Sequence, residues 1–364
     1  MDFTFDADQE ALRQVAHQVM SAEIDGVVLR RIADDPFSHA EGLWDRVVEL
    51  GWPGLLVPEE HGGAGAGLVE ACIVMEEMGR VAAPGPFFSS GVLATLAARE
   101  LGASDLLEAL GSGAVRGTVA LQELGYGDPV GSIHTRARRR GSGWVLDGLK
   151  PVVLDGHAAD FAIVAASTEE GLRSFLVDRP EGELVATMDP TRKVARLELA
   201  GRPALPLGPS GNQRGTWHRI MDDAGVALCA ETVGVSARAL ELATEYAKQR
   251  VVFDRPVASF QVAKHKIVDM LHAVEMARVA TQFAAWAAQV DDPSRQRAAA
   301  MAVAYATEMG TKVTGENIQL HGGMGFTWEC DAHFLYKRAK QNAVMLGGAS
   351  FQHKRLARML IGSW

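Results

Sequence analysis

The chain of 364 residues is longer than one hydrophobic core usually grows, so its length predicts two or three domains. Hydrophobic residues make up 48% and charged residues 22%, as in ordinary soluble enzymes, and the formal net charge of −9 argues against a nucleic-acid partner held through its phosphates. The start, MDFTFDADQE, lacks the features of a secretory signal, and no stretch approaches about 18 uninterrupted apolar residues, which predicts a cytoplasmic protein without an integral membrane segment.

The pattern of apolar residues divides the chain into three regions. Residues 1–115 follow a helical period, as in LVEACIVMEEMGRVAA, around a loop rich in glycine and proline. Residues 116–215 change to short β-type runs such as FAIVAAS and RSFLVD, separated by turn residues, which predicts a small antiparallel sheet or barrel. Residues 216–364 return to long helical segments joined by short loops, which predicts an antiparallel bundle. The sequence thus predicts an α+β protein with three domains.

Two glycine-rich segments and an arginine triplet could each suggest a nucleotide or anion site. GGAGAG at 62–67 lies between helices, and GYGDPVG at 125–131 lacks the spacing of a dinucleotide fingerprint, so both are expected to be loops. Arg138, Arg139 and Arg140 precede Gly-Ser-Gly, where a hairpin turn is expected. The pattern favours a solvated turn over an anion site.

The three cysteines, Cys72, Cys229 and Cys330, are widely spaced and predict neither a disulfide framework nor a zinc site. Cys330 and His333 lie three residues apart, but the histidines form no HxxxH or HExxH pattern that would complete a set of metal ligands. We therefore expect buried thiols and no bound metal.

The strongest signal is a pair of segments in the third region, RVVFDRPVASFQ and QLHGGMGF. They combine an arginine, an aromatic ring, amide side chains and a diglycine. Such groups bind the pyrophosphate and adenine of a dinucleotide through bidentate charge, stacking, edge hydrogen bonds and close backbone approach. The candidate cofactor-binding residues are Arg250, Phe253, Gln261, Gln319, Gly322 and Gly323.

Through these segments, and through LGWPGLLVPEEHGGAGAG, MEEMGR and WVLDGLKP, nearly the whole chain resembles the acyl-CoA dehydrogenase family. The resemblance implies an N-terminal helical domain, a middle β-barrel or sandwich, and a C-terminal four-helix bundle, with FAD between the β-domain and the bundle. It also implies α,β-desaturation of an acyl-CoA thioester. In that reaction a glutamate takes the α-proton, the β-hydride passes to the flavin, and an electron-transfer flavoprotein accepts the electrons.

The chain departs from the family where the catalytic base is expected. In the family a YEGTSE-like run follows QxxGGxG, and counting forward from Gln319 sets its glutamate on Leu346, which cannot take a proton. The alternative base position of the family, on the first long bundle helix, falls on Ala224. An adjacent carboxylate, Asp223, is a weak candidate base, beside the simpler interpretation of acidic residues near a helix N-terminus.

The β-region departs from the family as well. The flavin loop, TEPxAGSD-like in the family, reads QELGYGDP at 122–129. The Trp and Thr that cover and hydrogen-bond the isoalloxazine ring in family members correspond to Val152 or Val153 and to Leu154. In this family a further set reaches across a dimer interface to the ADP half of the neighbour's FAD, and its matches are retained: Arg250, Phe253, Gln319 and Gly323.

The chain thus lacks groups that act on its own flavin and substrate, but it retains groups that act on the flavin of a neighbouring subunit. This combination indicates a component of a heteromer. The chain resembles the non-catalytic subunit of α2β2 acyl-CoA dehydrogenases from actinobacterial steroid side-chain degradation, in which a homologous partner supplies the glutamate. Endings similar to Leu346-Gly347-Gly348 occur there. Two alternatives stay open: a self-sufficient homo-oligomeric dehydrogenase that uses a displaced carboxylate such as Asp223, and a flavin-free scaffold that binds acyl-CoA or another protein.

Overall fold

The structure, a computed structural model, describes residues 4–35, 41–123 and 127–362. The chain divides into two compact units, each built from separate segments. The first unit comprises Met1–Arg30, Cys72–Ala83 and Gly225–Trp364, and the second comprises Arg31–Ala71 and Pro84–Ala224. These two units reflect which residues contact one another. The predicted domain boundaries at residues 115 and 215 rest instead on changes in secondary structure, and they stay a prediction.

The helices of the described residues are long in the C-terminal part of the chain and shorter before it. They are α1 (Ala7–Glu23), α2 (Gly26–Asp34), α3 (Glu41–Glu49), α4 (Leu68–Arg80), α5 (Thr95–Glu100), α6 (Ser104–Gly111), α7 (Arg214–Gln249), α8 (Gln261–Gln289), α9 (Arg295–His321), α10 (Ala332–Val344) and α11 (Gly348–Ile361). A π-helical segment, Phe87–Ala94, precedes α5. The predicted helical N-terminal and C-terminal regions are confirmed.

Small residues let the helices of the first unit approach closely. A Cβ atom at Gly234 of α7 would overlap the carbonyl oxygen of Glu76 on α4, and one at Gly310 of α9 would overlap the side chain of Thr232 on α7. The helix α9 also packs against α8, α10 and α11. The first unit is therefore a bundle around α7 and α9, as the bundle prediction requires.

The strands lie in the second unit. They are β1 (Gly117–Ala120), β2 (Arg136–Arg140), β3 (Gly143–Leu154), β4 (Phe161–Thr168), β5 (Gly171–Asp178), β6 (Glu183–Val185) and β7 (Val194–Leu207), and a separate short hairpin in the first unit pairs β8 (Val251–Val252) with β9 (Arg255–Pro256). Pairing runs from β4 through β2, β3, β7 and β5, and β5 pairs with β4 again, so these five strands close into a barrel.

The barrel is mixed rather than purely antiparallel. Most pairs are antiparallel, as predicted, but β1 pairs in parallel with β4, and β2 makes one parallel pair with β4. A parallel pair needs a long connection, which the hairpin of β2 and β3 supplies between β1 and β4. The interior is filled by alternate residues of the strands, which include Leu146, Val164, Phe175 and Leu199.

Candidate functional site

Contacts between the ends of α7 and α9 bring the two predicted cofactor segments together. The rings of Tyr246 and His321 stack with centroids 4.4 Å apart. Arg250 follows Tyr246 by one helical turn, and its N–H donates to the Tyr246 carbonyl at 2.8 Å. The diglycine comes directly after His321, so the arginine and the diglycine are held at neighbouring helix ends. An ion pair between Lys266 of α8 and Glu316 of α9 also ties the start of α8 to this end of the bundle.

All six candidate cofactor residues are exposed on the first unit: Arg250, Phe253, Gln261, Gln319, Gly322 and Gly323. Gly322 has a φ of 64°, and a Cβ at either glycine would meet no atom within 4 Å, so the backbone there is open to a ligand. Exposed guanidinium and amide groups beside an open diglycine suit the anionic and polar ADP half of a dinucleotide. These residues therefore fit that half of FAD.

A strained turn presents Phe253 to solvent. The pairing of Val252 with Arg255 leaves Phe253 and Asp254 as a two-residue hairpin loop, and both have positive φ, 52° and 58°. Such a loop favours glycine or asparagine, and a left-handed conformation costs other residues roughly 1–2 kcal/mol each. The Phe253 side chain is 86% exposed. Strain of this kind is typical of functional positions, and here it holds an aromatic ring outward.

The position of the expected catalytic glutamate is a buried apolar turn. Leu346 is 9% exposed and left-handed, with φ 55° and ψ 32°, and Gly347 and Gly348 continue with φ 90° and 63°. A Cβ at Gly348 would lie 2.6 Å from the carbonyl oxygen of Ala343. The diglycine thus lets the chain leave α10 and begin α11 at once, and Leu346 has no group that could accept a proton.

A buried polar network fixes α10 just before this turn. Arg338 is fully buried, and its guanidinium donates to Glu231 Oε1 on α7 at 2.8 Å and to the carbonyl oxygens of Ala83 and Ala82 at 2.9 and 3.1 Å. Asn342 Nδ2 donates to Glu231 Oε2 at 2.9 Å. No local pattern reveals this network, because Glu231 lies 107 residues before Arg338 and 111 before Asn342 along the chain.

The weak candidate base, Asp223, is buried, and it lies in the body of α7 rather than near the N-terminus of that helix. Asp223 lies in the third turn of α7, which begins at Arg214, and it is nearly buried. Its Oδ2 lies 3.9 Å from the guanidinium of Arg99. The alternative base position, Ala224, is completely buried. The interpretation of Asp223 as a residue near a helix terminus is therefore wrong, and its catalytic role stays a prediction.

In the barrel, the positions matched to the flavin-covering residues carry no polar side-chain groups. Val153 and Leu154 are buried, and the Leu154 carbonyl accepts a 2.5 Å hydrogen bond from Thr118 Oγ1. The residues at 124–126, within the loop matched to the family's flavin loop, lie outside the described residues. The barrel therefore fits an isoalloxazine ring less well than the first unit fits an ADP group.

A buried ion pair lies at the start of that loop. Lys150 of β3 donates to Glu123 Oε1 at 2.7 Å and to the Leu121 carbonyl at 3.1 Å. The backbone N–H of Thr135 also donates to Glu123. Burial alone would raise the pKa of Glu123, but the Lys150 ammonium and these hydrogen bonds hold it at about 2. Glu123 thus ties the start of the loop to β3 through Lys150 and to the residue before β2 through Thr135.

The first unit also has a cavity of about 490 Å³ that includes none of the predicted site residues. Three of its charged groups are paired with one another: Arg80 donates to both oxygens of Glu241 at 2.7 and 2.8 Å, and Arg238 donates to Glu241 at 3.1 Å. Its lining residues include His17, Asp25, Asp331 and Phe334. Both arginines of the cavity already share a carboxylate, so the cavity does not resemble a site for an anionic cofactor.

Within residues 4–35, 41–123 and 127–362, no group of three or more histidine, cysteine and acidic side chains is arranged to hold a metal ion. In the same part of the chain, every helix is too short or too polar to cross a bilayer.

Comparison with known proteins identifies the family. The family described as "Acyl-CoA dehydrogenase, N-terminal domain" matches residues 6–116, and "Acyl-CoA dehydrogenase, C-terminal domain" matches residues 218–361. Helical, barrel and bundle regions in this order are those of a flavin-dependent dehydrogenase. The chain belongs to the acyl-CoA dehydrogenase family, whose members bind FAD and oxidise CH–CH bonds.

Individual relatives span almost the whole chain. The acyl-CoA dehydrogenase IpdE2 of Mycobacterium tuberculosis is 34% identical over 342 residues, 93% of each protein. A variant of the Tcur3481-Tcur3483 steroid ACAD is 32% identical, with a TM-score of 0.89 over 97% of this chain and 98% of that one. The ChsE4-ChsE5 complex from M. tuberculosis is 28% identical, with a TM-score of 0.89 over the full length of both chains.

Proposed function

We propose that this chain is the component of a heteromeric acyl-CoA dehydrogenase that lacks the catalytic base and completes the FAD site of a homologous partner. One observation carries the proposal. The groups suited to the ADP half of FAD are exposed on the first unit, whereas Leu346 and Ala224, at the two expected base positions, are buried and apolar. Two similar structures support it, since one is described as the ChsE4-ChsE5 complex and the other as Tcur3481-Tcur3483.

Each exposed group has a role in this proposal. Arg250 pairs with the pyrophosphate, and Phe253 offers a stacking face to the adenine. Gln261 and Gln319 donate and accept hydrogen bonds at polar edges of the cofactor. The diglycine 322–323 allows the ligand to approach the backbone closely.

The reaction proposed for the complex is α,β-desaturation of an acyl-CoA thioester, for which bound FAD supplies the hydride acceptor. The residues of this chain bind and orient the cofactor, and the partner subunit supplies the glutamate that takes the α-proton. An electron-transfer flavoprotein is the proposed electron acceptor, and the cytoplasm is the proposed location. Steroid-derived acyl groups are suggested as substrates by the similarity to a steroid ACAD.

The test is co-expression of this chain with a homologous acyl-CoA dehydrogenase that carries the glutamate. We expect a yellow heteromer, and Arg250→Ala should weaken FAD binding by about 1.5–3 kcal/mol, because a charge-assisted contact is lost. The measurement is the ratio of flavin to protein chains, together with the dissociation constant of FAD. The matched control is Arg297→Ala, which removes an exposed arginine of α9 outside the cofactor segments.

The proposal would be wrong if the chain purified alone as a fully flavinylated and active oligomer. It would also be wrong if Arg250→Ala and Arg297→Ala affected FAD binding equally. A colourless complex whose assembly does not respond to Arg250→Ala would instead identify the flavin-free scaffold.

The second candidate function is a self-sufficient homo-oligomer with Asp223 as the base. The observation that favours it is the burial of this carboxylate beside Arg99. In an active homo-oligomer, Asp223→Asn should abolish turnover while the neighbouring Asp222→Asn retains it, because only a positioned carboxylate can take the proton. Equal turnover of the two variants would remove this candidate.

A further inference from the structure

One end of the barrel carries two arginines that the proposed function does not use. Arg139 of β2 pairs in register with Trp144 of β3, on the side of the sheet that faces the barrel interior. Arg173 of β5 lies two residues before Phe175, and the two side chains therefore lie on the same face of the strand. The guanidinium carbons of Arg139 and Arg173 lie 4.7 and 5.7 Å from the centroid of the Trp144 ring. We call Arg139, Trp144 and Arg173 the arginine mouth.

All three arginines of the triplet 138–140 are exposed, as expected of residues beside a solvated turn, but their side chains point to two different faces of the sheet. The triplet 138–140 forms the end of β2, and the turn follows it. Arg138 lies on the other face of the strand, where it pairs with Asp147 at 2.8 Å. Arg139, by contrast, makes no ion pair with any described residue, and lies over the indole ring of Trp144 instead. Because side chains alternate between the two faces of a strand, Arg138 pairs with Asp147 on one face while Arg139 faces the mouth on the other.

The floor of the mouth is fixed. Trp144 packs against the fully buried Phe175, with ring centroids 5.3 Å apart, and caps the hydrophobic interior of the barrel. Cation–π contact with this ring restrains the two guanidinium groups and leaves their N–H edges available for hydrogen bonds in the plane.

Among the described residues, one long ion pair serves the two arginines of the mouth. Arg173 is only 8% exposed, and its Nε has no hydrogen-bond partner among the residues that the structure describes. The exposed Glu170 forms only a long ion pair with Arg173, with its Oε2 4.0 Å from Nη1. A buried donor without an acceptor is unfavourable. A bound dianion would accept from this donor and add negative charge that the single exposed Glu170 does not supply to two arginines.

We propose that the arginine mouth binds a phosphate monoester. Guanidinium groups match phosphate oxygens with bidentate geometry, and a charge of about −2 matches the two cations. The mouths of small barrels are frequent ligand sites because the strand ends leave a concave surface. The same chemistry is offered by free inorganic phosphate and by the 3′-phosphate of coenzyme A. The three residues of the arginine mouth all belong to the second unit, and the proposal does not depend on the proposed function.

The test is calorimetric titration of the purified full-length chain with inorganic phosphate. Arg139→Gln should weaken phosphate binding about tenfold or more, the effect of losing one charge-assisted contact. Arg138→Gln, a substitution on the same strand but on the opposite face, should change it less than about twofold. Arg173→Lys keeps the charge but loses the bidentate geometry, and is expected to give an intermediate loss.

A comparison of ligands distinguishes the sources. Tighter binding of coenzyme A than of 3′-dephospho-coenzyme A, with the difference abolished by Arg139→Gln, would support the site with the coenzyme as its source. Equal binding of the two, together with phosphate binding that Arg139→Gln weakens, would support it with free phosphate as its source. No binding of inorganic phosphate at about 10 mM, or equal effects of Arg139→Gln and Arg138→Gln, would overturn the proposal. In the co-expressed heteromer, the flavin content should be the same for all of these variants.

Discussion

Replacement of Arg338 by methionine is expected to destabilise the first unit by about 3–5 kcal/mol, because it breaks a buried ion pair. The guanidinium is completely buried, and it donates to Glu231 at 2.8 Å and to two backbone carbonyls at 2.9 and 3.1 Å. Methionine keeps much of the side-chain volume of arginine but has no N–H groups to donate. The Glu231 carboxylate, itself nearly buried, loses its cation. Such a loss is a large fraction of the roughly 5–15 kcal/mol that stabilises a typical folded protein.

The assay is a double-mutant cycle measured by urea unfolding. Arg338→Met, Glu231→Gln and the double variant are compared, and the double variant should be at least about 1 kcal/mol more stable than the sum of the single effects predicts, since no unpaired charge remains. Arg297→Met, on the exposed face of α9, is the control and should change stability by less than about 0.5 kcal/mol. A loss under about 1 kcal/mol for Arg338→Met, or strict additivity, would refute the assigned role.

Two further predictions concern the pH dependence of stability and the packing of the helices. Because the pKa of Glu123 in the folded chain is about 2, below the ordinary 4.5, its pairing with Lys150 contributes stability fully above about pH 4.5. That contribution is lost as the pH falls towards 2, so wild type should lose more stability than Glu123→Gln in urea unfolding between pH 5 and 2, and parallel curves would contradict this. Gly234→Ala should destabilise by about 1–3 kcal/mol, because a Cβ there overlaps the Glu76 carbonyl. Gly315→Ala in α9, where the nearest atom would be 3.8 Å away, should instead stabilise by about 0.5–1 kcal/mol, and thermal unfolding that ranks the two variants otherwise would contradict the packing.

The candidate site was only partly predictable. The segments around Arg250 and Gln319 are recognisable because their chemistry is carried by residue type and order. Their proximity is not a local property, since it depends on the stacking of Tyr246 on His321, 75 residues further along the chain. The same limitation applies to Asp223, whose burial inside α7 is decided by the elements that pack around that helix.

The sequence by itself determined the class of the fold, the family and the absence of a carboxylate at position 346, because periodicity, turn residues and motif order are local along the chain. The tertiary structure decided which of these residues face solvent, a ligand or the core. Alternation places Arg138 and Arg139 on opposite faces, but only the closure of the barrel brings Arg173 to the same indole ring. Contacts between residues far apart in sequence set burial and charge balance, and no local pattern encodes them.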